Sequence, residues 1–293
     1  MKKQSTVAVI GHKIFDSLSD KKYLKLKYFY TMHKRLNLKN PETYTEKLQW
    51  LKLYHHIDRY SEMVDKATAK EFAAGIIGKE YIIPTLGIYN SADEIDFDSL
   101  PQQFVLKCTH DSGSISICKD KSRYDTEKAR EQLNTYLNIN SFVGGREWPY
   151  LNVKPRIIAE KYLEDLADGE LRDYKFFCFS GEPKVLYIAQ GRGDNRPTVA
   201  DFFDMDFKHL DLKIDHEMAD TPPSKPQCFD QMKEYAKKLS AGIPHVRVDF
   251  YEVNGKLFFG EMTFFHCSGF AAFHPEEWDK TFGSWIKLPP INV

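Results

Sequence analysis

Two acidic residues near the carboxyl end of the chain have the type and spacing of a metal site. Asp249 and Glu261 lie in two apolar, β-like segments that flank Asn254-Gly255, a dipeptide typical of a tight hairpin. Pairing about that turn places the two acids nearly opposite each other. Facing carboxylates repel unless a divalent cation bridges them or one is protonated, and oxygen ligands suit magnesium. A contact of one acid with Arg247 or with solvent is an equally good explanation.

A lysine followed by a turn of small residues forms a candidate phosphate-binding element. Lys107 lies in the apolar strand candidate 104–108, and the turn after it contains Ser112, Gly113 and Ser114. A buried lysine needs an anion, and backbone N–H groups in such a turn can bind phosphate oxygens. The sequence matches neither the P-loop nor the dinucleotide-binding glycine pattern. An ordinary hairpin turn beside a solvated lysine is therefore the alternative.

Several cationic side chains could bind further anionic oxygens, namely Lys175, Arg192, Arg196 and Arg247. Arg247 precedes Asp249 by two positions, so both face the same side of a strand. The alternative is that these cations form surface salt bridges with nearby acids, namely Asp168, Asp173, Asp194 and Asp201. The hypothesis therefore depends on the order of the motifs along the chain.

Hydrophobic periodicity predicts the elements that would position these residues. Apolar residues at helical spacing predict helices within 21–60, interrupted at Asn40-Pro41, and a further helix from Asp65 through Phe72. Later helices are predicted at 126–138 and 229–239. Strands are predicted at 104–108, 115–118, 156–163, 174–180, 184–189, 246–253 and 256–262. The chain is therefore of α+β class, with sheets beneath the charged residues.

Composition limits the class of protein. A chain of 293 residues suffices for one large domain or two lobes around a cleft. Its 41 Lys and Arg against 42 Asp and Glu give a net charge of -1, which provides no general attraction for nucleic acid or anionic membranes. No segment has the roughly 18 apolar residues of a membrane span. The five cysteines lack a C-x-x-C pair, so we expect a cytoplasmic protein without structural zinc.

The series of motifs resembles the ATP-grasp enzymes, and within them the TupA-like group associated with teichuronopeptide and capsular polysaccharide biosynthesis. The resemblance spans most of the chain. It is carried, in order, by Asn40-Pro41 with 46–50, Asp65-Lys66, 104–107, Ser112-Gly113, 160–163, 173–175, 247–249 and 260–263. Several of these motifs are individually degenerate, whereas the ordered series is specific.

The resemblance implies an α+β protein with the ATP-grasp fold, in which two α+β lobes clamp a nucleotide. A helical N-terminal extension would cover residues 1–60, and the smaller lobe, with the phosphate loop, residues 61–155. The larger lobe, with a hinge strand and the metal site, would cover residues 156–293.

The resemblance also implies roles for individual residues. Lys66 and Lys107 would bind the α- and β-phosphates, and a loop would close over the triphosphate, made by Ser112, Gly113 and Ser114. The adenine would lie on the hinge strand, made by Glu160, Lys161, Tyr162 and Leu163, with Asp168 at the ribose. Magnesium would be held by Asp249, Glu261 and Thr263. The transferring phosphoryl group or acyl phosphate would be steadied by Arg247 and Lys175, with Arg192 and Arg196 as further candidates.

The chain departs from the family pattern at three points. Thr263 stands where a third metal ligand, often Asn, is expected, and Asp111 stands in the phosphate loop where a small residue is expected. The separate N-terminal α/β domain of many ATP-grasp ligases is also missing, since the first sixty residues have a helical pattern. The segment His266-Cys267-Ser268-Gly269 could line an acceptor pocket, although a turn leaving the sheet explains it equally well.

The preferred hypothesis is an ATP-dependent carboxylate-amine ligase that acts through an acyl phosphate in cell-surface polysaccharide or teichuronopeptide biosynthesis. Its expected partners are ATP, Mg²⁺ and a small-molecule or saccharide carboxylate and amine, without nucleic acid or an integral membrane segment, at the periphery of the polysaccharide assembly machinery. The alternative is a glycosyltransferase of polysaccharide biosynthesis, for which Asp204-Met-Asp206 matches a short metal-binding motif. A nucleotide-binding protein without catalysis is the third hypothesis.

Overall fold

A computed structural model describes residues 18–111, 113–139, 141–165, 171–191 and 197–291. Its α-helices are α1 (Asp20–Met32), α2 (Tyr44–Tyr54), α3 (Arg59–Val64), α4 (Thr68–Ile77), α5 (Thr126–Leu137), α6 (Ser141–Gly145), α7 (Phe229–Leu239) and α8 (Glu277–Trp285). Its strands are β1 (Thr85–Tyr89), β2 (Phe104–Cys108), β3 (Ile115–Cys118), β4 (Ile157–Lys161), β5 (Asp173–Phe179), β6 (Glu182–Gln190), β7 (Val199–Phe203), β8 (His209–Leu210), β9 (Lys213–Ile214), β10 (His245–Val253), β11 (Lys256–Thr263) and β12 (Phe273–His274). The presence of both helices and sheets confirms the predicted α+β class.

Helices α2 and α4 are bounded by local start and stop signals. A capping box starts α2, because the Thr43 hydroxyl accepts a hydrogen bond from the Glu46 N–H while the Glu46 carboxylate accepts one from the Thr43 N–H. The Asp65 carboxylate accepts a hydrogen bond from the Ala67 N–H just before α4. Gly78 ends α4 with a φ of 105°, which a residue with a Cβ rarely adopts. The interruption between α1 and α2 was predicted from the sequence.

The four-stranded sheet has the order β1-β4-β2-β3, and all of its pairs are antiparallel. Phe104, Leu106 and Cys108 of β2 are buried in a small core that also contains Leu133 of α5. Since alternate residues of a strand point to opposite faces, Lys107 projects from the other face of this sheet. The small core therefore presents Lys107 toward the rest of the molecule.

The six-stranded sheet has the order β11-β10-β5-β6-β7-β8 and is also antiparallel. Every residue of β5 is buried, including the charged Asp173 and Lys175. A large core joins this sheet to side chains of α2, α3, α4, α7 and α8. Strands β9 and β12 form a separate antiparallel pair.

The hairpin of β10 and β11 turns at Asn254-Gly255, as the sequence predicts, and both turn residues have positive φ. The register shifts between Asp249 and Phe250, because Phe250 pairs with Phe259 whereas Asp249 pairs with Glu261. Gly260 is thus an extra residue on β11, a β-bulge. A Cβ at Gly260 would lie 2.9 Å from the Asp249 carbonyl oxygen, so this close approach requires glycine.

The lobe boundaries predicted at residues 60 and 155 stay a prediction. Helices α2 to α4 share the large core with the six-stranded sheet, and β4 pairs within the four-stranded sheet. Hydrophobic periodicity identifies the apolar side of an element, but it does not show which sheet that side contacts. Across the described ranges, the helices fall short of the length and apolar content that crossing a bilayer requires.

Candidate active site

A cleft of about 860 Å³ is lined by eight of the thirteen predicted site residues that fall within the described ranges. We call it the central cleft. The predicted residues that line it are Lys66, Lys107, Gly113, Ser114, Lys175, Arg247, Glu261 and Thr263. Asp249 and Glu160 lie directly behind this wall, whereas the cleft wall does not include Lys161, Tyr162 or Leu163. The remaining predictions, Ser112, Asp168, Arg192 and Arg196, lie outside the described residues.

The central strands of the large sheet hold a buried carboxylate between two cations. Asp249 pairs in register with Glu261 on one side and with Lys175 on the other. Arg247 donates two hydrogen bonds of 2.7 Å to the Asp249 carboxylate, and Lys175 Nζ donates one of 2.6 Å. Burial by itself would raise the pKa of Asp249, but Arg247 and Lys175 outweigh it and lower that pKa to about 2. The carboxylate is therefore ionised and rigidly held.

Arg247 connects the acids to the adjoining turn. Its Nη2 donates to Glu261 Oε1 at 3.2 Å and to Thr263 Oγ1 at 3.0 Å. Its Nη1 lies 2.7 Å from His266 Nδ1, and since a guanidinium only donates, Nδ1 must be the acceptor. Burial, followed by the charge of Arg247, holds the pKa of His266 well below its usual value, so the neutral ring carries its proton on Nε2. The contact between an acid and Arg247, left open by the sequence, is present for both acids.

The oxygen donors around Arg247 fit a hard divalent cation. Asp249 and Glu261 supply carboxylates on adjacent strands, and Thr263 supplies a hydroxyl oxygen where an amide was expected. The Glu261 side chain is 40% exposed, whereas that of Asp249 is 1% exposed. Glu261 is thus the donor that the cleft reaches most directly, with Thr263 beside it.

A second ion cluster lies on the four-stranded sheet and contains a lysine that the sequence analysis missed. Lys107 Nζ lies 2.5 Å from one oxygen of Glu160, and Lys70 pairs with the other. Burial disfavours the Glu160 carboxylate, but Lys107 and Lys70 outweigh it and hold its pKa below the ordinary value. Both oxygens of Glu160 are therefore engaged with lysines. Its role at the adenine stays a prediction. The spacing of Lys70, four positions after Lys66, is the signal that could have revealed it.

Lys66 lies between the two clusters. Its ammonium donates to the main-chain oxygen of Asp111 in the loop after β2. Burial lowers the pKa of Lys66, and the charge of Glu261 opposes that shift. The charge of Glu261 therefore acts on Lys66 within the central cleft. A site for a metal-bound phosphate requires such a cation near a carboxylate.

The unexpected acid of the phosphate loop has a structural role. Ser114 Oγ donates to Asp111 Oδ1 and accepts a 2.8 Å hydrogen bond from the Cys108 N–H. Asp111 is 7% exposed, so its carboxylate points into the loop. Gly113 has a φ of 132°, which favours glycine, and no atom lies within 4 Å of the place where a Cβ would be. The Ser114 hydroxyl is thus used inside the loop, whereas the space beside Gly113 is open.

The far end of the central cleft is formed by residues whose partners are distant in sequence. Ser268 Oγ donates to Glu147, and Lys52 Nζ donates to the carbonyl oxygens of Gly145 and Ser268, both at 2.7 Å. Burial lowers the pKa of Lys52 to about 7, although Glu147 opposes the shift. Cys267 and Ser268 have φ values of 48° and 53° and line the cleft. Their role at an acceptor stays a prediction.

Lys52 predicts a pH dependence of stability. Between its folded pKa of about 7 and its ordinary value of 10.5, the unfolded chain binds a proton that the folded chain lacks. The free energy of unfolding must therefore rise with pH across this window, by up to about 1.4 kcal/mol per pH unit for one group. Urea unfolding from pH 7 to 10 should show that Lys52→Met loses this rise. The exposed Lys22→Met on α1 is the control, and equal pH slopes in both variants would refute the assignment.

The Asp204-Met-Asp206 motif of the alternative hypothesis forms a turn. Asp204 Oδ1 accepts hydrogen bonds from the N–H groups of Asp206, at 2.9 Å, and Lys208, at 2.8 Å. Neither acid lines the central cleft. These contacts account for the motif through backbone hydrogen bonding after β7.

A family model described as TupA-like ATPgrasp matches residues 46–287. No curated protein shows a significant match. Among solved structures, the chain is similar to a D-alanine–D-alanine ligase from Bacillus anthracis complexed with ATP, at 14% identity and a TM-score of 0.41, covering 69% of this chain and 55% of that one.

Two further solved structures are similar to this chain. For the D-alanine–D-alanine ligase from Helicobacter pylori, the identity is 14%, the TM-score 0.44, and the coverage 84% of this chain and 69% of that one. For the L-amino acid ligase from Bacillus licheniformis, the identity is 11%, the TM-score 0.47, and the coverage 86% and 56%. The chain thus spans little more than half the length of the first and third of these enzymes. Because the family model covers most of its length, the chain belongs to the TupA-like ATP-grasp family.

Proposed function

We propose that the chain is an ATP-dependent carboxylate-amine ligase that works through an acyl phosphate. The observation that carries this proposal is the arrangement of charge in the central cleft. Lys66 and Lys107 line it together with Glu261, and Arg247 lies beside that acid. The same cleft thus contains cations that can bind phosphate oxygens and hard oxygen donors that can bind magnesium, and phosphoryl transfer requires both.

In the proposed reaction, a substrate carboxylate oxygen attacks the γ-phosphorus of ATP and ADP leaves. An amine then attacks the acyl carbon, the amide forms, and inorganic phosphate leaves. Mg²⁺, held by Asp249, Glu261 and Thr263, would neutralise phosphate charge when bound. Lys66 and Lys107 bind phosphate oxygens, and Arg247 stabilises the charge that develops on the transferring group.

The rigidity of Arg247 supports its proposed role. Its Nε and Nη2 are held by Asp249, so the guanidinium needs little reorganisation when charge develops near it. Lys175, which shares Asp249 and lies 3.4 Å from Asp173, lines the same wall. We place the acceptor between this wall and the turn at Cys267 and Ser268, because those residues close the far end of the central cleft.

The substrates in this proposal are a small-molecule or saccharide carboxylate and an amine. We place the reaction in the cytoplasm, in the biosynthesis of a cell-surface polysaccharide or teichuronopeptide, on the basis of family membership. The test is to incubate the protein with Mg-ATP and pairs of carboxylates and amines, and to follow ADP release and nucleotide-sugar consumption in parallel. ADP release that requires both substrates supports the ligase. Consumption of nucleotide sugar without ADP release would overturn it.

Lys107→Ala tests the nucleotide contact separately from turnover. We expect Mg-ATP to raise the melting temperature of the wild-type protein and to have no measurable effect on this variant, since a bound ligand stabilises only the state that binds it. Glu160 keeps Lys70 as a partner, so the fold should survive the substitution. Lys128→Ala on the exposed side of α5 is the matched control. An unchanged ATP-dependent shift in Lys107→Ala would contradict the assignment.

A further inference from the structure

One acid of the central cleft takes no part in the phosphate and metal contacts. The acids of the described chain that line this cleft are Asp111, Glu147, Asp173, Asp215 and Glu261. Among these described acids, Asp215 alone is exposed. Within the described ranges, no lysine or arginine lies within salt-bridge distance of it. Its carboxylate therefore faces the cleft without a neutralising cation.

The other four acids already have partners. Asp173 and Glu261 pair with cations of the cleft wall, at 3.4 Å and 3.2 Å. Asp111 is hydrogen-bonded inside the phosphate loop, and Glu147 accepts a hydrogen bond from Ser268. The remaining acid is therefore the one that a cationic group of a substrate can reach most directly.

A tight turn holds Asp215 in this position. The His216 N–H donates a 2.8 Å hydrogen bond to the Ile214 carbonyl oxygen, two residues earlier, and Asp215 between them has a φ of 63°. Three-residue turns with a positive central φ are rare and strained, so the surrounding structure must hold them. Ile214 of β9 pairs with Phe273 of β12, the strand that follows the turn 266–269. The two turns at the far end of the cleft are thus joined through one strand pair.

A chain of hydrogen bonds ends on Asp215. Arg247 donates to His266 Nδ1, so the buried ring carries its proton on Nε2. That nitrogen lies 3.5 Å from Cys267 Sγ, and the Cys267 thiol donates to the Asp215 carboxylate, which can only accept. Three hydrogen bonds therefore run in one direction, from the guanidinium proposed at the phosphoryl group to the carboxylate at the far end. Hydrogen bonds in such a chain strengthen one another.

The same side chains have the ligand types of a zinc site. The potential ligand atoms of Asp215, His266 and Cys267 lie within 4.8 Å of one another. The hydrogen bond made by one ring nitrogen of a histidine decides whether the other can bind a metal. Here Arg247 occupies the lone pair of Nδ1, and Nε2 carries the proton. The arrangement therefore favours a hydrogen-bond chain over a metal centre.

We propose that Asp215 binds the acceptor amine as an ammonium ion and removes its proton before attack. The inference deepens the ligase proposal and rests on it. The acceptor is accordingly an aliphatic amine that is protonated at neutral pH. His266 and Cys267 are positioning residues, because they act through the Asp215 carboxylate.

The protons balance in this step. The ammonium ion transfers one proton to the Asp215 carboxylate, and the neutral amine attacks the acyl carbon of the acyl phosphate. The bond from that carbon to the phosphate oxygen breaks, and a second proton of the nitrogen leaves with the phosphate as the amide forms. Asp215 then returns its proton to solvent. General bases of this kind commonly accelerate a reaction ~10² to 10⁴-fold.

The test compares two nucleophiles in Asp215→Asn. Hydroxylamine is uncharged at neutral pH, so it traps an acyl phosphate as a hydroxamate without first losing a proton. We expect the variant to lower kcat/KM for the amine that supports the fastest ADP release in the wild type, by about 100-fold. Hydroxamate formation should stay within a few-fold of the wild type. The fold should survive, because the position is exposed and Asn tolerates its positive φ.

Cys267 tests the positioning role. Cys267→Ala removes the donor to Asp215 and should lower the same kcat/KM by about 10-fold, since one hydrogen bond to a charged group is lost. Cys267→Ser keeps a donor and should retain kcat/KM within a few-fold of the wild type. The matched control is Asp211→Asn, an exposed acid four residues before Asp215 that does not line the central cleft.

The outcomes separate this inference from the ligase proposal. Equal losses with the amine and with hydroxylamine in Asp215→Asn, or an unchanged kcat/KM for the amine, would overturn the role of Asp215 alone. All of these variants should keep the thermal shift with Mg-ATP, because none of the changed residues is placed at the nucleotide. A wild-type protein that forms no hydroxamate from any carboxylate would overturn the ligase proposal, and this inference with it.

Discussion

Asp249→Asn is expected to reduce ADP formation about 1,000-fold and to destabilise the fold. The substitution removes the charge that holds Arg247 and Lys175, and it removes one of the carboxylates proposed for the metal. Loss of one preorganised electrostatic contact commonly costs a factor of ~10² to 10³ in rate. Removal of one partner from a buried ion pair commonly costs about 3–5 kcal/mol of stability, because the other charge stays buried. ADP release and urea unfolding measure the two effects.

A control for this prediction lies on the same strand. Glu252 of β10 accepts hydrogen bonds from the N–H groups of Gln227 and Cys228 and lies outside the central cleft. Glu252→Gln should therefore keep ADP formation within a few-fold of the wild type.

The pKa of Asp249 adds a second readout. Since it is lowered to about 2 from 3.8, its contribution to stability is complete above pH 3.8 and is lost as the pH falls toward 2. This loss of stability at acid pH should be absent in Asp249→Asn. If the variant showed the same loss, the assignment would be contradicted.

Arg247→Lys is expected to lower kcat for ADP formation by ~100-fold or more, with a smaller change in KM for ATP. A lysine keeps the positive charge, but it cannot reach Asp249, Glu261 and His266 together, as the planar guanidinium does. Because charge is conserved, the stability loss should be smaller than in Asp249→Asn. A fall in kcat with little change in KM identifies an interaction made in the transition state.

Arg156 offers the matched control for this substitution. It pairs with Asp65 at 2.9 Å, is partly exposed, and does not line the central cleft. Arg156→Lys should therefore leave kcat within a few-fold of the wild type. If Arg247→Lys retained a third of wild-type turnover, the guanidinium could not have the role proposed for it.

The parts of the site that could be predicted are those fixed by neighbouring residues. A two-residue turn brings Asp249 within one position of Glu261, whereas their direct pairing also needs the bulge at Gly260; the projection of Lys107 follows from strand alternation. Lys70 with Glu160 and Lys52 with Glu147 were missed, because each pair joins elements that only the tertiary fold brings together. The role of Asp111 was missed for another reason, since its partner Ser114 was assigned to phosphate.

The fold was predicted to a similar extent. Capping residues and periodicity identify the helices before residue 60 and the hairpins after residue 100, because these signals are local. The sheet order β1-β4-β2-β3 could not be derived in the same way, since β4 inserts between strands that precede it in the chain. That choice depends on long-range packing, which a single sequence does not reveal.

Gly260 sets the pairing register of β11, the strand whose last residues lie in the candidate site. Without the extra residue, Asp249 would pair with Gly260, and Glu261 would move opposite Val248, whose side chain is completely buried. The two acids lie on the same side of the sheet only because β11 has one residue more than the part of β10 with which it pairs. The extra residue at Gly260 therefore decides whether Glu261 lines the central cleft or enters the hydrophobic interior.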